Sequence, residues 1–229
     1  MGTRRITMTP GARRVLAAAS RLFYERGIHA VGVDLIAAEA GVTKKTLYDR
    51  FGSKEQIVVE YLADRDERWR TFVTERVERA GPGSVDRVSA VFDASREWMT
   101  DSSPKGCAMV NAHAEISDPS HPAHPIITGQ KAWMLALFAG LVRDIAPARA
   151  DDLARTLMLL HEGAMVAHGL GVFPDPIGGA RDRAGELLAG VGAEAGAGAG
   201  AGASVGIDAD TGASTRANAS KSADAGAAP

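Results

Sequence analysis

Apolar residues along the chain recur three and four positions apart, the spacing of one helical face, while the strict alternation that marks a strand is scarce. Thr9 is placed to cap a first helix with Pro10 at its first position, where a missing N–H costs nothing. Val15, Leu16, Ala19, Leu22 and Phe23 then share one face, and Gly27 is placed to end the helix. A short second helix fits Val33–Ala40, with Ile36, Ala37 and Ala40 inward and Gly41 as its stop. Thr43 can cap a third over Lys44–Phe51, whose Leu47 and Phe51 point back into the same small core. Ser53 with Gln56 forms a capping box for a long fourth helix carrying Ile57, Tyr61, Leu62, Trp69, Phe72, Val73 and Val77 along one stripe.

Gly81-Pro82-Gly83 breaks that helix, and Ser84 starts another that ends at Ser102-Ser103-Pro104. A shorter helix fits Cys107–Ile116, followed by a turn-rich stretch through Pro125. The remaining periodic segments are Ile126–Ile145, Asp151–Leu170 and Ile177–Val191, separated by prolines. The pattern predicts an all-α protein of about nine helices. From about Ala193 to Pro229 the chain is Ala, Gly, Ser and Asp with almost no large apolar residue, a composition read as a disordered tail.

The net charge of −2 hides an asymmetry. Residues 1–55 carry ten Lys/Arg against five Asp/Glu, and the remainder carries 16 against 23. A basic head on an acidic body is what a protein that meets a polyanion presents. The longest apolar run, Ala132–Val142, falls short of the roughly 20 residues that span a membrane and reads as buried helix. Val15–Ala19 is too short for a signal peptide, so the expected location is the cytoplasm, with no membrane partner. A single cysteine, Cys107, excludes an intramolecular disulfide framework and a Cys-rich zinc site.

Helix, glycine turn, helix over Val33–Phe51 is the pattern of a helix-turn-helix, whose second helix lies in the major groove. Thr43, Lys44, Lys45, Thr46 and Tyr48 gather at or near the start of that second helix, where free N–H groups and the helix dipole attract phosphate. Lysines neutralise phosphate or read guanine, hydroxyls bond to backbone oxygens, and a threonine methyl can touch thymine. Lys54 adds a clamp at the start of the fourth helix.

The stretch from Ile36 to Glu55, IAAEAGVTKKTLYDRFGSKE, resembles the DNA-binding domain of the tetracycline-repressor (TetR) family, whose usual form is close to I-A-x-x-A-G-V-S-x-x-T-L-Y-x-x-F-x-S-K-E. Gly106–Ala112 and Asp118-Pro119 resemble one branch of that family more loosely. Gly32 departs from it, standing where Thr or Ser often caps the second helix, as does Leu35, where an acidic residue is frequent. The resemblance implies a helix-turn-helix DNA-binding domain over 9–56 and a helical effector-binding and dimerisation domain over 57–192, with the tail over 193–229. It further implies a homodimer joined through Asp151–Leu170 and Ile177–Val191. Such a dimer binds a pseudopalindromic double-stranded DNA operator, acts as a repressor and is released by a small molecule. Ala154, Leu157, Leu160, Ala164 and Ala167 on one helix and Ala180, Ala184, Leu187, Leu188 and Val191 on the other suit such pairing, and equally suit packing inside one subunit.

The residues suited to an effector pocket are Trp98, Met99, Met109, His113, Trp133, Leu137, Phe138, Met158, His161 and Met165, most of them apolar and deformable, which favours an apolar or aromatic ligand. The same residues also suit plain core. Neither metal nor cofactor is expected: His161 and His168 lack a second ligand set, and His121 and His124 lie in a proline-rich turn. An enzyme is the remote alternative. His161-Glu162-Gly163-Ala164-Met165 lacks the second histidine of the zinc-protease helix, and Ser102–Lys105 lacks the companions of an S-x-x-K site. A constitutive repressor or an architectural DNA-binding protein with no effector is the nearer alternative.

Overall fold

The computed structural model describes residues 6–102 and 104–201. Among them lie nine α-helices, one 3-10 turn at Pro147–Arg149 and no strand: α1 Pro10–Arg26, α2 Val33–Glu39, α3 Lys44–Phe51, α4 Lys54–Arg79, α5 Ser84–Ser102, α6 Ala108–Glu115, α7 His124–Val142, α8 Ala150–Leu170 and α9 Pro176–Ala201. The capping residues set the starts. Thr9 accepts from the Ala12 amide, Thr43 from Thr46 and Ser53 from Gln56, each satisfying an amide that has no partner within the helix.

The buried side chains fall into two clusters. One gathers α1, α2 and α3 around Leu22, Ile36, Leu47 and Phe51, and takes in Ile57, Val58 and Leu62 from the first half of α4. It also takes in Met109, Ala112, Ile116 and Ile127 from α6 and the start of α7. The other holds Trp69, Val73 and Val77 from the second half of α4 together with α5, α7, α8 and α9. A single uninterrupted helix thus serves both cores. Helix α7 is long and apolar enough by length and composition to cross a membrane, but Met134, Phe138 and Val142 are buried in the second cluster, as befits a core helix.

One expectation changes. Helix α9 continues past Val191 to Ala201, so residues 193–201 are helical where a disordered tail was expected. Residues 202–229, the rest of that tail, lie outside the described residues, as do Arg4 and Arg5 of the basic arm. Of the apolar stripes that suit either pairing with a second subunit or packing inside one, Ala154, Leu157, Ala164, Ala180, Ala184, Leu188 and Val191 are buried within this subunit, and Leu160 and Leu187 lie half-buried against them. The apolar side chains that α8 turns outward are Leu159, 75% exposed, Val166 and Leu170, 73% exposed, followed by Val172 and Phe173.

One close approach ties the loop before α6 to α8. Gly106 sits in the left-handed region at φ +85°, and a Cβ on Gly169 would lie 3.0 Å from the Gly106 nitrogen and 3.1 Å from its Cα. Both neighbours are backbone and cannot rotate away. Gly169→Ala is therefore expected to lower stability by about 1–3 kcal/mol through overpacking. The check is urea unfolding, with a lower midpoint at unchanged slope; an unaltered midpoint would show that the loop yields freely.

Candidate nucleic-acid interface and effector cavity

The helix-turn-helix is built by local backbone chemistry. Gly41 adopts φ +61°, its amide reaches Ala38 O at 3.2 Å, and the Val42 amide reaches Ala37 O at 3.0 Å. This is a Schellman closure, which ends α2 and turns the chain into α3. Arg14 of α1 donates its Nε–H to Ala40 O at 3.2 Å, satisfying a carbonyl that α2 leaves open. Leu47 and Phe51 anchor the inner face of α3, so its opposite face is turned to solvent. Gly32 stands at the N-cap of α2 with no side-chain cap, consistent with its departure from the family pattern.

Thr43, Lys44, Lys45 and Tyr48 lie exposed on α3 and its cap, while Thr46 and Lys54 are half-buried. The Thr43 hydroxyl is already used: it caps the Thr46 amide at 3.1 Å and meets the Thr46 hydroxyl at 2.9 Å. Each lysine is held by a carboxylate. Lys44 Nζ lies 2.9 Å from Asp34 of α2, and Lys45 Nζ lies 2.7 Å from Asp49 one turn on. The hydrogen bond from Lys44 to Asp34 and its charge hold the ammonium above its ordinary pKa. Exposed pairs of this kind contribute little to stability, so a denser anion can take the lysines over. Asp34 escaped the sequence reading because its partnership with Lys44 depends on the turn geometry.

The helix-turn-helix is clasped to the helices behind it. The Tyr24 hydroxyl of α1 accepts from the Lys105 amide at 2.8 Å and donates to Gly106 O at 3.1 Å. On the other side of α6, Glu115 Oε2 accepts from the His29 amide at 2.9 Å. Both contacts join the α1 end of the first core to the segment containing α6.

Behind this clasp lies a cavity of about 30 Å³, room for a water molecule or two. Five helices wall it: α4 through Arg65, Asp66 and Trp69, α5 through Trp98 and Met99, α6 through Met109, α7 through Gln130 and Lys131, and α8 through His161 and Met165. Trp98, Met99, Met109, His161 and Met165 were expected there and line it. The other five candidates lie elsewhere. Phe138 is fully buried in the second core beside Phe92, while Leu137 and Met158 are half-buried against that core. Trp133 is half-buried beneath the Arg70 guanidinium, 4.9 Å from its ring centroid. His113 is exposed on α6, its ring centroid 6.1 Å from that of His124.

The polar side of the cavity was not legible in advance. Lys131 Nζ donates to both Glu162 oxygens at 2.8 and 2.9 Å and to Cys107 Sγ at 3.3 Å. Burial works to raise the Glu162 pKa, but the hydrogen bond from His161 and the Lys131 charge outweigh it and hold the carboxyl at about 2. His161 Nε2 meets the Ser95 hydroxyl at 2.8 Å, and Ser95 donates to Val91 O at 2.7 Å. His161 is thus a buried histidine held at both ring nitrogens, since Nδ1 faces Glu162 at 3.3 Å. No group of three or more His, Cys, Asp or Glu among the described residues is placed to hold a metal ion.

Residues 15–61 match the family model described as bacterial regulatory proteins, tetR family. Over 65 residues the chain is 46% identical to the HTH-type transcriptional activator FasR of Mycolicibacterium smegmatis, a match spanning 27% of this chain and 28% of that protein. A TetR-family transcriptional regulator from Streptomyces coelicolor is 32% identical in a superposition with a TM-score of 0.70, covering 80% of this chain and 95% of the other. Regulatory protein TetR from Rhodobacter sphaeroides shares the fold with a TM-score of 0.67 at 20% identity, over 78% of this chain and 98% of its own. Sequence motif, helix-turn-helix geometry and a superposition that extends well beyond the DNA-binding helices agree: the chain belongs to the TetR family of transcriptional regulators.

Proposed function

We propose that the protein is a ligand-responsive repressor that binds a pseudopalindromic operator as a homodimer. The observation that carries this reading is the face of α3: Thr43, Lys44, Lys45 and Tyr48 exposed together on a helix whose other side is pinned by Leu47 and Phe51. Lys44 and Lys45 exchange their carboxylate partners for phosphates, Thr46 and Tyr48 meet the DNA backbone or base edges, and Lys54 clamps the phosphate flank. The helix-turn-helix unit corresponds to residues 9–56 and the effector and dimerisation unit to 57–192. The protein works in the cytoplasm, away from membranes, and is no enzyme. FasR is named an activator, but its match covers 27% of this chain, and the sign of regulation is not encoded in a recognition helix.

The dimer forms through the outward faces of α8 and α9. Leu159, Val166 and Leu170 stand on one exposed face of α8 with Gly163 between them, and nothing lies within 4 Å of a Cβ built on that glycine. A second helix can approach closely there. Two recognition helices related by the resulting two-fold axis reach successive major grooves about 34 Å apart. The effector enters the five-helix cavity and binds the DNA-incompetent state more tightly, so release is a shift of population.

Quantitative binding to the intergenic segment beside the protein's own gene, across a salt series, tests the reading. Saturable, steeply salt-dependent binding to one short pseudopalindrome is expected; weak binding indifferent to sequence would refute it. In the same assay the double substitution Lys44→Ala, Lys45→Ala should weaken binding. It should flatten the salt slope by about 3–4 for a dimer, about 0.9 for each of four lysines. An unchanged slope would remove the lysines from the phosphate contacts. Leu159→Glu with Val166→Glu should give a folded monomer in sedimentation, and a persisting dimer would place the interface elsewhere.

A further inference from the structure

The walls of the five-helix cavity are chemically unequal in a way that specifies what enters. Their charges are matched within the protein. Lys131 is spent on Glu162, Asp66 is bound to Arg70 at 2.9 Å, and Arg65 lies against the ring faces of Tyr24 and Trp98 at 4.8 and 5.6 Å. Trp69 donates its indole N–H to Met134 Sδ at 3.3 Å. One of the residues lining the cavity, Gln130, stands apart: it is only 6% exposed, and its Oε1 is buried with no hydrogen-bond partner. Leaving a buried acceptor unpaired is costly, and native structures do so rarely. The rest of the wall is indole rings and methionine with Ala108, Cys107, which Lys131 meets, and His161, whose ring nitrogens face Ser95 and Glu162; the rings of Trp69 and Trp98 stand edge to face at 5.5 Å. Methionine side chains repack readily around an apolar guest.

We infer that the cavity takes a neutral, flat aromatic molecule that carries a hydroxyl or N–H and donates it to Gln130 Oε1. This deepens the proposed effector response and rests on it for the regulatory consequence, though binding itself does not. A carboxylate ligand would meet Lys131 already paired and would bring a second anion beside Glu162. A molecule without a donor would leave Gln130 Oε1 as unpaired as before. The present cavity of about 30 Å³ is too small for such a ring, so binding displaces methionine side chains of α5, α6 and α8.

The test uses the full chain and three probes of like size: 2-naphthol, its methyl ether and 2-naphthoate. Titration calorimetry should show 2-naphthol binding at least about tenfold more tightly than the ether or the carboxylate, the preference an unpaired buried acceptor confers. Gln130→Leu should abolish the preference for naphthol over its ether. Without ligand, the same variant should raise Tm by about 2–4 °C, because it removes an unsatisfied polar atom. Equal binding of naphthol and ether, tighter binding of the carboxylate, or no binding of naphthol overturns the inference. So does a lowered Tm, which would mean that a buried water already pairs with Gln130. Operator release, followed separately by fluorescence anisotropy, distinguishes the two levels. Naphthol that binds without releasing DNA refutes the effector reading alone, and release by naphthoate without naphthol binding refutes this inference alone.

Discussion

Everything in this fold hangs on α4 being one rigid rod shared by two cores. Ile57, Val58 and Leu62 are buried with the helix-turn-helix, and Trp69, Val73 and Val77 are buried with the helices behind it. A 26-residue helix spans about 39 Å at 1.5 Å per residue, so neither core can tilt its half without turning the other. The Tyr24 hydroxyl adds a second tie, bridging the Lys105 amide and Gly106 carbonyl on the far side of α1. With α4 as axle and the Lys105–Gly106 turn as clasp, the recognition helix is positioned by contacts that lie well outside the DNA-binding motif.

The charge arrangement on α3 follows a related economy. Lys44 and Lys45 stand beside Asp34 and Asp49, so the face is prearranged with its cations extended and neutralised by exposed carboxylates. Such pairs are screened by salt and weakly bound. Breaking them costs little, whereas a half-buried, doubly hydrogen-bonded pair such as Lys131 with Glu162 resists separation, since parting it leaves a partly desolvated charge. Lysine–carboxylate pairs therefore differ in the two places: exposed and loosely held on α3, closed and half-buried in the cavity wall beside the middle of α4.

The helices and their starts were legible because caps are local. Thr9, Thr43 and Ser53 each accept from an amide three residues on, and the structure places all three where the spacing required. The helix-turn-helix was legible for the same reason, since Gly41 closes α2 through bonds to Ala37 and Ala38. The outward face of α8 was not. That helix carries apolar residues on nearly every side, so its period cannot say whether Leu157 or Leu159 faces the core, and only the packing against α7 and α9 decides. Half of the expected cavity residues share this fate. Phe138 and Met165 are both large apolar residues on helical stripes, and whether one meets a void or a neighbour depends on how five helices converge. Gln130 and Lys131 carried no signal at all, reading only as the polar edge of an apolar run.

The size of the cavity turns these observations into a mechanical constraint. Protein interiors are packed at the density of organic crystals, and a strained core moves its elements when it cannot compress. The space between Trp69, Trp98, Met99, Met109 and Met165 is about 30 Å³, room for a water molecule or two. In the proposed response an aromatic guest enlarges this space by displacing the methionines that line it. Of the five helices around it, α5, α7 and α8 back onto the second core, where Phe92, Phe138 and Leu157 are fully buried against one another. Helices α4 and α6 also pack against the first core, through Leu62, Ala112 and Ile116. The cavity wall and the core on which the recognition helix is built thus share α4 and α6.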